Sequence, residues 1–205
     1  MKIAVLIVAF GAFVVGAIAA TLMRVARRAR DLQNQMAGRH DEALKALAKR
    51  AGLKFVAGAG HDHPLMGRYQ GWGSAEGTTG DLVVRVEQKS QGEDPVELKT
   101  RLCLTPAGGA SFDVEAGTFA LPKDLDRLRE AMGQADTEML DELAACVERL
   151  ELDPQAVTLT ARPPPSKEKR LPFESFSFGV VTDPAALGAL LDVGGRLALE
   201  LLPKA

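Results

Sequence analysis

From residue 3 to residue 23 every position is apolar or small, with one hydroxyl at Thr21 and no charge. After Arg24 the pattern becomes periodic. Leu22, Val25, Ala29, Leu32 and Met36 recur at alternating steps of three and four, the spacing of one helical face, which predicts that the first helix continues as an amphipathic stalk. That repeat lasts barely two heptads, too short for a coiled coil. Gly38, Arg39 and His40 interrupt it, and Asp41 reads as the N-cap of a new helix over residues 42–50, with Ala43, Leu44 and Leu47 on one face and Gly52 at its C′ position.

The period then drops to two. Residues 53–57 alternate as a short strand, ended by the Gly-rich stretch 58–64. Residues 65–72 and 79–87 are predicted as two strands joined by a hairpin loop over 73–77. The second is rich in β-branched residues, with Leu82, Val84 and Val86 on one side. In residues 96–104, Val96, Leu98, Leu102 and Leu104 point inward, while Glu97, Lys99 and Arg101 point outward. Residues 106–109 turn into a strand over 111–115. The period returns to 3.6 over 124–132 and 137–150, the second helix carrying Met139, Leu140, Leu143, Ala144, Val147 and Leu150 as its apolar stripe and Asp136 or Thr137 as its cap. Residues 156–160 are a strand, 162–170 a proline-stiffened polar loop, and Phe173, Phe176 and Phe178 lead into Val180 and Val181. Asp183 caps a final helical region from Pro184, read as two short helices, 185–191 and 196–202, split by Gly194 and Gly195. The pattern as a whole predicts an α+β protein: an N-terminal transmembrane helix with an amphipathic stalk, then an antiparallel β-sheet, one face wet, packed by a few helices. The predicted segments are an anchor (1–23), a basic stalk (24–40) and a soluble domain (41–205).

A helix of about 20 uncharged residues matches the ~30 Å hydrocarbon core of a bilayer. A cleaved signal peptide is the competing reading, since Lys2 forms a minimal basic start and Ala17-Ile18-Ala19 fits the small-x-small cleavage pattern. The apolar run exceeds the usual 7–15 residue signal core, and Arg24, Arg27, Arg28 and Arg30 follow it directly, opposing translocation of what comes next. These arginines favour a single-pass bacterial inner-membrane protein with its amino end outside and residues 24–205 in the cytoplasm. They also mark a membrane surface where anionic headgroups can pair. Cleavage near Ala19 would instead export the domain.

The net charge of −2 becomes −7 for residues 31–205 once Lys2 and the four juxtamembrane arginines are set aside. A domain that acidic lacks the basic footprint of a nucleic-acid binder. The two cysteines, Cys103 and Cys146, read as buried thiols in a reducing compartment, or as a pair if the domain is exported.

Three stretches, residues 176–192 (Phe-Ser-Phe-Gly-Val-Val-Thr-Asp-Pro onward), 46–55 (Ala-Leu-Ala-Lys-Arg-Ala-Gly-Leu-Lys-Phe) and 63–71 (His-Pro-Leu-Met-Gly-Arg-Tyr-Gln-Gly), resemble a set of uncharacterised bacterial proteins. Those proteins have an N-terminal membrane segment and a small α+β domain of unknown function. The resemblance implies the same layout and brings no activity with it.

Candidate chemistry is sparse. In an extended segment His61 and His63 project to one side and offer two imidazoles to a metal, but no HExxH, CxxC or second His cluster supplies the remaining ligands. Arg68, Tyr69 and Trp72 lie among the glycines of 67–73, as a ligand platform with Arg68 for an anion or as the shape of a strand and turn. There is no Gly-x-Ser-x-Gly, dinucleotide fingerprint or phosphate loop, so no catalytic residue is assigned and no cofactor is expected. The basic loop 162–170 suits a membrane surface, an acidic partner or plain solvation. The expected function is a single-pass membrane-anchored module, in contact with the lipid bilayer, that binds a protein partner or small ligand without catalysis. The alternatives are a membrane-tethered metal-dependent enzyme using His61 and His63, and a structural or adaptor subunit of a membrane complex.

Overall fold

A single helix, α1 (Lys2–Ala51), runs from the apolar terminus into the protein core in the computed structural model. The backbone is described for residues 2–63, 67–91, 96–133, 136–163 and 176–203, with side chains for all of these except 2–12, 63, 67, 69, 90–91, 96–97 and 176–178. The predicted break at Gly38–His40 and the new helix start at Asp41 are not present. Met36, Ala37, His40, Asp41, Leu44, Leu47 and Ala48 are all buried at helical spacing, so one inward stripe continues through the glycine. Packing along that stripe outweighs the ~1 kcal/mol that a mid-helix glycine costs.

The strands follow as β1 (Lys54–Val56), β2 (His61–His63), β3 (Gly67–Tyr69), β4 (Ser74–Thr79), β5 (Leu82–Gln91) and β6 (Val96–Pro106). The predicted loop 73–77 is largely strand β4. The hairpin turns instead at Gly80–Asp81, where Gly80 takes a left-handed φ of 59° and Thr79 pairs with Leu82. After a short 3-10 turn the chain crosses 110–116 without strand structure, correcting the predicted strand over 111–115; the main-chain N–H groups of Phe112 and Asp113 bond to Pro154 and Leu201 instead of to a neighbouring strand. Next come β7 (Gly117–Ala120), α2 (Leu125–Met132), α3 (Thr137–Cys146), β8 (Val147–Asp153), β9 (Ala156–Ala161), β10 (Phe176–Gly179) and α4 (Pro184–Glu200). The helix predicted to reach residue 150 stops at Cys146. Val147 is already extended, and Val147, Leu150 and Leu152 turn inward as a strand with a bulge before Arg149. Asp136 caps α3 through the Glu138 N–H, and Asp183 caps α4 through the N–H groups of Ala185 and Ala186.

The sheet order is β1-β4-β5-β6-β9-β8-β7, antiparallel throughout, and β10 adds to β6 in parallel beside Val96–Lys99. β2 and β3 form a separate small hairpin. The inward face of the sheet (Leu82, Val84, Val86, Leu102, Leu104, Leu150, Val157, Leu159) packs on the C-terminal third of α1 and on α3 and α4. The outward face carries ion pairs across strands, Lys99 to Glu148 at 2.5 Å and Arg101 to Glu151 at 2.7 Å. α4 is one helix, correcting the predicted split at Gly194–Gly195. A Cβ on Gly194 would lie 2.8 Å from Leu102 Cδ2, so helix and sheet approach closely at this glycine, and it does not end the helix.

At its other end α1 leaves the protein. Every side chain from residue 13 to residue 24 is exposed, including Phe13, Val15, Ile18 and Leu22. Among the described residues no helix is long and apolar enough to cross a membrane. The described apolar stretch, 13–23, amounts to about 16 Å of helix; the side chains of 3–12, the rest of the predicted span, lie outside the description.

Candidate functional site

The inward positions of β5 run Leu82, Val84, Val86 and then Gln88, and those of β6 run Leu104, Leu102 and then Thr100. Gln88 and Thr100 are direct cross-strand partners, so the apolar face becomes polar at one row. His40 of α1 arrives over that row, fully buried. Its Nδ1 lies 2.6 Å from the Val181 carbonyl oxygen, to which it donates; Nε2 is then the acceptor and meets the Gln88 amide. The Val181 N–H donates to Thr100 Oγ1 at 3.0 Å. One residue of the β10–α4 connection is thereby fastened to both α1 and β6. Desolvation pushes the His40 pKa below 6.5, and this outweighs the upward influences of the Val181 bond and of Asp41.

Asp41, also buried, fastens the next segment. Its Oδ1 accepts from the Gly73 N–H at 3.0 Å and its Oδ2 from the Gln70 amide at 2.8 Å, while the Gln70 N–H donates to Asn34 Oδ1 at 2.8 Å. Gly73 is required there, because a Cβ would stand 2.7 Å from both Asp41 Oδ1 and Phe55 Cε2. The Trp72 ring meets His40 edge-on, with centroids 6.0 Å apart.

Both nitrogens of His40 are engaged and Asp41 is bonded to neutral donors, so the pair acts as a joint between α1 and the segments packed on it. Neither residue is left as a free base or metal ligand. This joint was not expected from the pattern, although its signal is in the sequence: two polar residues, Gln88 and Thr100, occupy inward positions of two otherwise apolar alternations.

The predicted platform is divided. Trp72 is half-buried on His40, Arg68 is exposed opposite Asp62 in the β2–β3 hairpin, and the Tyr69 side chain lies outside the description. His61 is exposed on the same hairpin, paired in register with Tyr69; His63 pairs with Gly67, and its side chain is also outside the description. Among the described residues no group of three or more His, Cys, Asp or Glu converges on a metal position. Arg24, Arg27 and Arg28 are exposed, and Arg30 pairs with Asp31 at 2.7 Å. Of the loop 162–170, only Arg162 and Pro163 are described; the Arg162 guanidinium donates to the Leu121 carbonyl at 2.7 Å, a structural tie.

The two cysteines are free. Cys103 shares a row with Thr158, whereas the residue after Cys146 pairs with Ala161, about 10 Å further along the strand and beyond disulfide reach. Burial pushes the Cys146 thiol pKa up.

An open cleft of about 600 Å³ lies between the 110–116 segment, α2 and the end of α4. Phe112, Phe119 and Leu152 form its buried apolar floor, and the exposed Asp113, Glu115 and Glu200 its rim. No protein-family model, curated protein or solved structure matches this chain.

Proposed function

We propose that this protein is a single-pass, bilayer-anchored module whose α+β domain binds a protein partner or small ligand. The observation that carries the reading is the apolar end of α1. A water-exposed helix keeps a polar face, whereas residues 13–23 expose apolar side chains on every side, and among the described side chains protein contact begins at Val25, next to the first arginine. Lipid is the solvent that suits such a surface. The cleft over Phe112 and Phe119 supports ligand binding, since it joins an apolar floor to a few polar groups at its edge. The four arginines favour a cytoplasmic domain in a bacterial inner membrane.

Alkaline carbonate extraction of membranes, with intact mass of the protein recovered, tests this reading. The full-length chain is expected in the pellet. Release of the full-length chain into the supernatant, or a mature chain starting at Ala20, would overturn the anchor.

The metal-dependent alternative draws on one placement, the i, i+2 positions of His61 and His63 in β2. Stoichiometric zinc in the purified protein, lost in the double variant His61→Ala/His63→Ala, would favour it; metal-free protein with an intact fold removes it.

A further inference from the structure

The contacts that hold residues 70–73 also set the height of the β2–β3 hairpin along α1. Gln70 bonds to Asn34, and Gly73 bonds to Asp41. Three residues of extended chain rise about 10 Å, and seven residues of helix rise about the same. Segment 70–73 therefore follows α1 from Asn34 toward Asp41, which the Gln70 side-chain amide also reaches. Continued backward in that direction, β3 comes beside the turns of α1 that precede Asn34. β3 does pack against α1, and this agrees with the half-burial of Val25, Ala26, Ala29 and Arg30 on an otherwise exposed length of helix. Arg24, Arg27 and Arg28 remain exposed beside that covered strip, close together at helical steps of three and four.

We propose that the β2–β3 hairpin and this turn of α1 together form a surface for the headgroups of anionic phospholipid, with Arg68 adding a fourth exposed guanidinium to those of Arg24, Arg27 and Arg28. The surface rests on the anchored reading, which puts residue 24 at the edge of the hydrocarbon. Two carboxylates belong to the same region: Asp62 lies opposite Arg68 in register, and Asp31 pairs with Arg30. The surface stays net positive, in contrast to the acidic domain above it. Arg68 comes from a different part of the chain than the helix arginines, so positive charge at this level exceeds what the topology of one helix requires.

The test uses the full-length chain in lipid nanodiscs, of phosphatidylcholine alone or with phosphatidylglycerol as a third of the lipid. Hydrogen exchange is followed at the amides of β2 and β3, with those of β5 and β6 as the fold control. Phosphatidylglycerol is expected to slow exchange in the hairpin about fivefold, the weight of one arginine at an anionic surface, and to leave β5 and β6 unchanged. Arg68→Gln should abolish the slowing, whereas Arg85→Gln, on the outward face of β5, should retain it. Equal hairpin exchange in both lipids, or slowing that survives Arg68→Gln, would overturn the headgroup surface and leave the anchor standing. A chain that fails to enter the discs at all would overturn the anchored reading itself.

Discussion

His40 gathers the most consequences of any single residue. In the folded protein its ring is neutral, buried and bonded through both nitrogens; in the unfolded chain it titrates near 6.5. The folded pKa is the lower of the two, so the unfolded state binds the extra proton. Stability is unaffected by His40 above about pH 7.5 and falls as pH drops through 6.5, by up to about 1.4 kcal/mol per pH unit until the folded ring itself protonates. Urea denaturation between pH 5 and 8 is expected to show this slope, and His40→Phe to remove its His40 component. That variant should also lose about 1–3 kcal/mol at pH 8, because it leaves the Val181 carbonyl and the Gln88 amide without their partner. A His40→Phe protein as stable as the parent at pH 8 would mean that the joint contributes nothing to the fold.

Among the elements, α4 sets local propensity against packing at adjacent residues. Gly194 and Gly195 are both mid-helix, and propensity alone favours alanine at either by up to about 1 kcal/mol. A Cβ at Gly195 meets open space, whereas at Gly194 it meets Leu102 at 2.8 Å and Leu104 and Leu159 at 3.4 Å. Gly195→Ala should therefore stabilise the protein by up to about 1 kcal/mol, and Gly194→Ala should destabilise it by about 1–3 kcal/mol, as read from chemical denaturation midpoints. Equal effects would put the helix further from the sheet than described. The same pair explains part of what could be read from the sequence. Caps at Asp136 and Asp183 and the strands with strict alternation, β5, β6 and β9, were legible because their causes are local. The glycines at 38 and 194–195 were misread as breaks because only tertiary contact explains why the helix continues through them. The end of α3 was misread because Val147 and Leu150 fit a helical stripe as well as a strand. Of the candidate surface, Arg24, Arg27 and Arg28 were visible at once, whereas Arg68 read as part of a ligand platform because its packing beside α1 is tertiary. The joint was not, because it needs α1, β5, β6 and residue 181 brought together across 141 positions of chain.

For the whole molecule, the exposure of residues 13–24 separates this part of the apolar end from the packing of the domain. Removing residues 1–23 discards no packing among the described side chains. The shortened chain is expected to unfold within about 0.5 kcal/mol of the full-length protein, the range of changes at exposed positions. A larger loss, measured by urea denaturation of both forms in the same detergent, would place the apolar segment against the domain. If the proposed anchor holds, the unbroken course of α1 has a further consequence for encounters at the membrane. A domain on a loose linker samples a hemisphere of orientations, and each binding event must select one of them. Here a continuous length of helix about 18 Å long separates Arg24 from the first core residue, Met36, and the same helix then continues into the core. On the proposed anchoring, the cleft over Phe112 and Phe119 is carried at a set distance along a continuous helix from the bilayer edge. On that proposal, a partner carried by the same membrane is favoured when its own site lies at the same height, and one whose site lies at another height is disfavoured however well the surfaces match.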